Sequence, residues 1–129
     1  MVDHFLSEQN MSDIVRIEQT QRSSRVVKAA GLVFVGGQTA NDRSQDIKGQ
    51  TAQVLAKIDG FLAQAGIDKT RLLSSQVWVR DITRDFAGMN EIWDAWVSPG
   101  NAPTRACVES TLALPDILVE ISVTALAAD

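Results

Sequence analysis

Two charged residues in otherwise apolar or small segments are candidates for chemistry. Glu120 lies within residues 117–126, a predicted strand in which a carboxylate is costly unless it is paired, hydrogen-bonded or lines a wet cavity. Arg105 lies at the start of a second predicted strand, just after a loop that contains Pro103, where ligand-binding residues are often held. Arginine suits planar, bidentate capture of carboxylates. Each residue also has an ordinary interpretation, as an edge-strand carboxylate and as a surface arginine.

Three other features are weaker signals on their own. Gly36 and Gly37 follow a predicted strand, where paired glycines permit close backbone approach and expose N–H donors. Cys107 is better explained as a small buried or cavity-wall residue than as a nucleophile, because the one histidine, His4, lies near the N-terminus. Asn90 lies at the edge of a helical apolar stripe, either as a boundary polar residue or as an amide aimed at a site.

Composition excludes several classes of protein. The 129 residues, 14.0 kDa, fit one domain, and the net charge of −4 argues against a nucleic-acid partner. One cysteine and one histidine exclude an internal disulfide and a structural zinc site. No signal peptide or membrane span is evident, so we expect a cytoplasmic protein. The scarcity of histidine and cysteine agrees with chemistry that needs no metal and no cofactor.

Hydrophobic periodicity predicts six strands and two helices in the order β-β-β-α-β-α-β-β. The predicted strands are 13–18, 25–29, 32–35, 72–82, 104–110 and 117–126, and the predicted helices are about 47–65 and 84–97. Asp46 and Gly66 are suitable residues to begin and end the first helix, and Thr83 or Asp85 to cap the second.

The order of elements favours an α+β domain, a mixed sheet with both helices on one face. Residues 11–129 would form this single domain and residues 1–10 an N-terminal extension. In the strand 72–82, Leu73 should face the core and Trp78 the opposite face, which we interpret as a subunit interface. The second helix should bury a stripe that includes Phe86, Met89 and Trp93.

The order and spacing of these segments resemble the reactive-intermediate deaminase (Rid) family, also called YjgF-like or endoribonuclease L-PSP proteins. The matching segments span about residues 13–127, and they are Gly36-Gly37-Gln38 after a strand, Asp85-Phe-Ala-Gly-Met-Asn90, Pro103-Thr-Arg-Ala-Cys-Val108, Leu114-Pro115 and Val119-Glu120-Ile121. The segment Trp93-Asp-Ala-Trp-Val97 looks most like the YoaB-like branch.

The resemblance implies a chorismate-mutase-like fold that assembles as a homotrimer with ligand clefts between subunits. It implies that Arg105 binds a substrate carboxylate and that Glu120 positions a water. It further implies cleft roles for Gly36, Gly37, Asn90 and Cys107.

The implied reaction is hydrolytic deamination of reactive 2-imino acids and enamines to 2-keto acids and ammonia. The alternative is a non-catalytic trimeric module that binds small carboxylate metabolites, because the family's cleft tyrosine has no counterpart in a chain without tyrosine. Ribonuclease activity is a weaker third hypothesis, given the acidic pI and the lack of an active-site histidine.

Overall fold

The computed structural model describes residues 13–128, so the predicted extension 1–10 lies outside the described residues. Residues 13–128 contain six strands, two helices and one short 3-10 turn, Lys69–Arg71. The strands are β1 Val15–Gln19, β2 Ser24–Ala29, β3 Leu32–Gln38, β4 Leu72–Val79, β5 Thr104–Glu109 and β6 Val119–Leu126, and the helices are α1 Ile47–Gln64 and α2 Ile82–Trp96. The predicted order of elements is therefore confirmed.

The six strands form one sheet in the order β1-β2-β3-β6-β4-β5. Every pair is antiparallel except β4 and β5, which run parallel because α2 provides the crossover between them. Alternate residues of β6 are buried, and they form one core with the apolar faces of both helices. The predicted mixed sheet and α+β class are confirmed. The opposite side of the sheet is called the open face here.

Helix α1 has the predicted start and stop. The side chain of Asp46 accepts a hydrogen bond from the backbone N–H of Gly49 at 2.9 Å, which satisfies a donor that has no partner within the helix. Gly66 follows the C-cap with φ of +82°, a left-handed conformation that glycine adopts without a Cβ penalty.

Helix α2 begins two residues earlier than predicted. Asp81 is its N-cap and accepts from the backbone N–H of Arg84 at 3.1 Å, so the predicted caps Thr83 and Asp85 are wrong. Asp85 is instead buried in the first turn, where it accepts two hydrogen bonds from the Arg84 guanidinium at 2.9 and 2.7 Å. This pairing raises the pKa of Arg84, mainly through the hydrogen bond and the charge of Asp85.

Two apolar residues predicted to face the core are exposed. Phe86 is 41% exposed, although Met89 one turn later is fully buried. Leu73 is 44% exposed because the pairing of β4 with β6 shifts register between Leu72 and Ser74, and this shift exchanges the two faces. The core position that Leu73 was expected to fill belongs to Leu72.

Strand β3 is longer than predicted. It continues through Gly36 and Gly37 to Gln38, so the glycines lie inside a strand rather than after one. The β3–β6 pairing shifts register between Val35 and Gln38. The glycines therefore sit at an irregular point of the sheet, beside the strand that carries Glu120.

A fully buried amide that the sequence reasoning missed connects α1 to the start of β6. The Gln50 Nε2 atom lies 3.2, 3.0 and 2.9 Å from the carbonyl oxygens of Arg43, Gln45 and Asp116, and Gln50 Oε1 accepts from the backbone N–H of Leu118 at 3.0 Å. A polar residue inside the apolar stripe of a helix was the signal for it. Among residues 13–128, no helix has the length and apolar character needed to cross a membrane.

Candidate functional site

Arg105 lies on β5 on the helix-covered side of the sheet. It pairs with Ser75, which is buried beneath the helices. The Arg105 Nη1 atom is 3.9 Å from the Met89 sulfur, and the guanidinium carbon lies 5.2 Å from the centre of the Trp93 ring, within cation–π distance. Within residues 13–128, Arg105 forms no ion pair with a carboxylate. Its guanidinium is therefore held by soft and aromatic groups, not neutralised by an acid.

Two other predicted residues lie on the same side. Cys107 follows Arg105 by two residues on β5, and burial raises the pKa of its thiol, while the Arg105 charge opposes part of that rise. Asn90 follows Met89 on α2; its buried Oδ1 accepts no hydrogen bond from the described residues. Met89, Asn90, Trp93, Arg105 and Cys107 are called the arginine cluster below.

Glu120 lies on the open face of the sheet. It is paired with Trp78 in the register of β6 and β4, and both side chains point away from the buried Val77, Val119 and Ile121. Neither a hydrogen bond nor an ion pair to Glu120 is formed by the side chains of residues 13–128. Its carboxylate therefore keeps its acceptor capacity for a ligand or a partner.

Gly37 determines where the Glu120 carboxylate can lie. A Cβ at Gly37 would overlap Glu120 Oε2 and would lie 3.1 Å from the carboxyl carbon. At Gly36 the nearest atom to an added Cβ is the Ser24 carbonyl oxygen at 3.6 Å, which is an ordinary contact. Of the two glycines, only Gly37 lies so close to Glu120 that an added Cβ would displace the carboxylate. Gly36, Gly37, Trp78 and Glu120 are called the glutamate cluster below.

Arg80 holds the loop that leads into β6. Its Nε donates to the carbonyl oxygen of Ile117 at 2.8 Å, and its Nη2 donates to those of Leu114 and Leu112 at 2.6 and 3.0 Å. The three bonds fix the chain just before Glu120. In the sequence, Arg80 is one polar residue of the predicted strand 72–82, and nothing there indicated this role.

The predicted site residues thus form two groups within one chain. The structure places Arg105 against α2, which carries Asn90, with Cys107 on the same face of β5, and it places Gly37 against Glu120. The two groups lie on opposite faces of the sheet, so Arg105 and Glu120 of the same chain do not face a common space. The part of the chain that the structure describes contains no cluster of three His, Cys, Asp or Glu side chains suited to a metal ion.

The packing behind Arg105 was missed by the sequence reasoning. Met89 and Trp93 were predicted as members of a buried helical stripe, and both are buried. The stripe did not reveal that their outer surfaces contact the Arg105 guanidinium, since that contact depends on the parallel pairing of β5 beside β4. Arg105 and these two residues are 12 or more positions apart in the sequence.

Comparison with known families gives a match over nearly the whole described chain. A sequence model of the family described as Endoribonuclease L-PSP matches residues 13–127. A RutC family protein of Haemophilus ducreyi is 44% identical over 112 residues, which cover 87% of this chain and 95% of that protein. The RutC family protein YoaB of Escherichia coli is 39% identical over 112 residues, covering 87% and 96%.

Solved structures give the same result for the fold. The crystal structure of NMB1025, a YjgF family member from Neisseria meningitidis, has a TM-score of 0.89 and 44% identity, and the alignment covers 92% of this chain and 98% of that one. Rv2704 of Mycobacterium tuberculosis, described as a member of the YjgF/YER057c/UK114 family, has a TM-score of 0.79 and 28% identity, covering 89% and 100%.

Proposed function

The chain belongs to the endoribonuclease L-PSP family, also called the Rid or YjgF family, and to its YoaB-like branch; from this premise we propose that it hydrolyses reactive 2-imino acids to 2-keto acids and ammonia. Family membership supports a Rid-type function in general. The reaction, the clefts between subunits of a homotrimer and a cytoplasmic location are our proposal. The roles of individual residues follow from the two clusters.

The observation that carries the proposal is the environment of the Arg105 guanidinium. Its guanidinium is half-buried against Trp93 and Met89 and has no carboxylate partner among residues 13–128. A planar fork of N–H donors in apolar surroundings favours a carboxylate, because charge-assisted hydrogen bonds are stronger where water is partly excluded. The carboxylate of a 2-imino acid lies next to the electrophilic C=N carbon, so binding the carboxylate also positions that carbon.

The placement of Glu120 supports a cleft between subunits. Since Arg105 and Glu120 of one chain lie on opposite faces of the sheet, one ligand can meet both only if they come from neighbouring chains. The open face also exposes apolar side chains, with Phe34 at 42%, Val108 at 45% and Leu126 at 44%. A surface of this kind is typical of subunit contacts.

The proposed mechanism needs only positioning and proton transfer. Arg105 holds the carboxylate, and the Glu120 carboxylate of the neighbouring subunit accepts a proton from water as its oxygen attacks the imine carbon. The C=N π bond opens toward nitrogen to give a carbinolamine. Glu120 returns this proton to nitrogen to complete the neutral carbinolamine. It then accepts the hydroxyl proton as the C=O bond forms and delivers that proton to nitrogen as the C–N bond breaks, so ammonia leaves and one imine and one water become one keto acid and one ammonia. Because free 2-imino acids already hydrolyse unaided, a modest acceleration is sufficient.

The test generates 2-imino acids from several amino acids with an amino-acid oxidase in the presence of semicarbazide. We expect the protein to divert imine from semicarbazone to keto acid and ammonia, and light scattering to give about three times the 14.0 kDa chain mass. The absence of diversion for every amino acid tested would contradict the proposal.

A second candidate function is a module that binds small carboxylates without catalysis. The complete lack of tyrosine in the chain favours it, because a cleft without a phenol has one fewer group to bind or protonate a substrate. Calorimetric binding of 2-keto acids without diversion of any imine would support this module over the deaminase.

A further inference from the structure

A series of side-chain contacts continues from Arg105 through α2 to α1. The Trp93 ring, against which Arg105 lies, is 5.4 Å from the Trp96 ring centre at an interplanar angle of 53°. Trp96 Nε1 donates to Asp59 Oδ2 on α1 at 3.0 Å. The Lys69 ammonium lies 5.2 Å from the Trp96 ring centre. The two tryptophans are called the indole pair below.

The indole pair joins Arg105 to a rigid part of the fold. Trp93 is only 6% exposed and belongs to the hydrophobic core, so its ring has little freedom to move. Trp96 is tied to α1 by the hydrogen bond to Asp59, and tilted aromatic pairs at this distance are favourable. An arginine side chain otherwise has considerable rotamer freedom, which it must lose when it binds a carboxylate.

We propose that the indole pair is a positioning element that fixes the plane of the Arg105 guanidinium before a carboxylate binds. The Trp93 ring lies on one side of the guanidinium and the Met89 sulfur lies against Nη1, so the two contacts together limit the orientations of the guanidinium. The remaining N–H donors are then oriented before the ligand arrives. Preorganisation of this kind strengthens binding because less side-chain conformational entropy is lost when the ligand binds.

This inference rests on the proposed function, because it takes Arg105 as the carboxylate clamp. It adds Trp93, which does not contact the substrate but acts through Arg105, which does. It also assigns Asp59, on the other helix, to the orientation of the clamp. A purely structural tryptophan would affect stability and leave ligand affinity unchanged.

The test compares Trp93→Leu with Trp93→Phe in the full-length assembled protein. The readouts are the calorimetric Kd for the 2-keto acid 2-oxobutanoate and the separate values of KM and kcat for deamination. We expect Trp93→Leu to raise Kd and KM by about three- to tenfold and to change kcat less, because one cation–π contact is lost. Trp93→Phe retains an aromatic face and should return both constants to within about twofold of the wild-type values.

Phe61→Leu on α1 is the matched control, since Phe61 is a core aromatic residue and, among residues 13–128, the cation–π partner of Arg105 is Trp93. It should lower the melting temperature and leave Kd unchanged. Trp96→Phe, which removes the hydrogen bond to Asp59, should raise Kd by less than Trp93→Leu does.

A folded, assembled Trp93→Leu variant with wild-type Kd and KM would overturn the positioning role. If Trp93→Leu does not assemble, an unchanged Kd in Trp96→Phe would overturn it in the same way. A wild-type protein that binds 2-oxobutanoate but deaminates nothing would reject the proposed reaction alone, and the Kd series would still decide this inference. A wild-type protein that does neither would overturn both.

Discussion

The Arg105 guanidinium is supported by side chains of its own chain, whereas the Glu120 carboxylate lies over a glycine on the open face of the sheet. In the arginine cluster, Trp93 and Met89 restrict the functional group directly. In the glutamate cluster, Gly37 only leaves room for it, and none of the side chains of residues 13–128 donates a hydrogen bond to it. One half of the proposed cleft is therefore preorganised within the chain, and the other half depends on assembly to be completed.

The strongest test of this division mixes subunits. Arg105→Ala and Glu120→Ala homotrimers should each lose most of their turnover. Trimers that contain both variants, isolated by two different affinity tags, should regain about one third of the clefts, since one junction per mixed trimer then joins an intact arginine to an intact glutamate. The measurement is imine diversion per trimer.

If both residues acted within one subunit, no cleft would be restored in any mixed trimer. That outcome would contradict the opposite-face arrangement as the basis of the site.

Glu120→Gln tests the chemistry of the glutamate cluster without changing its shape. The amide cannot accept a proton from water, so kcat should fall by about a hundredfold while KM changes little. Because the side chain projects from the open face, folding should be unaffected. Glu109→Gln on β5, a carboxylate outside both clusters, serves as the control, and equal kinetic losses in the two variants would argue against a specific base.

Arg105→Lys tests the geometry of the arginine cluster while retaining the charge. Lysine supplies a point ammonium in place of a planar fork, so kcat/KM should fall by about ten- to a hundredfold as one charge-assisted hydrogen bond is lost. Arg43→Lys is the control, because Arg43 forms an exposed ion pair with Asp116 at 2.8 Å. Wild-type deamination by Arg105→Lys for every 2-imino acid tested would remove Arg105 as the clamp.

Adjacent glycines of the glutamate cluster allow a matched pair of substitutions. Gly37→Ala would displace the Glu120 carboxylate and should lower kcat by about tenfold, because small misplacements of a catalytic group are costly. Gly36→Ala meets only ordinary contacts and should stay within about twofold of wild type. Equal activity of the two variants would show that the position of Glu120 is not set by Gly37.

The features that were predictable from the sequence are those that depend on local chemistry. Asp46 and Gly66 delimit α1 as expected, because an N-cap carboxylate and a left-handed glycine act within one turn of the helix. The exposure of Leu73 was not predictable, since the register shift that causes it arises from pairing with β6, about 50 residues away. The start of α2 at Ile82 was missed because three polar residues, Asp81, Thr83 and Asp85, are all plausible caps.

The same distinction applies to the candidate site. The sequence singled out Arg105 and Glu120 because a charge in an apolar strand is unusual, and that property is visible in the chain itself. Their separation onto two faces and the support from Trp93 require the order of strands in the sheet. No periodicity in the sequence specifies which strand becomes the neighbour of another.

Cys107 should produce the smallest effect, although it lies two residues from Arg105 in the arginine cluster. Burial raises the pKa of its thiol and the Arg105 charge lowers it only in part, so the thiol remains protonated at neutral pH and is a poor nucleophile. Cys107→Ala should therefore leave kcat/KM within about twofold of wild type.

The same thiol should affect the pH dependence of stability. Because the unfolded thiol ionises first, the free energy of unfolding should decrease as pH rises from the ordinary thiol pKa of about 8.5 toward the raised value, and Cys107→Ala should remove that decrease. Chemical denaturation between about pH 7 and 10 measures the free energy of unfolding, and the rate of alkylation by iodoacetamide measures the reactivity of the thiol. Rapid alkylation at neutral pH, with loss of activity in Cys107→Ala, would show instead that the arginine cluster activates its thiol, and the cluster would then be a centre of covalent chemistry as well as a binding surface.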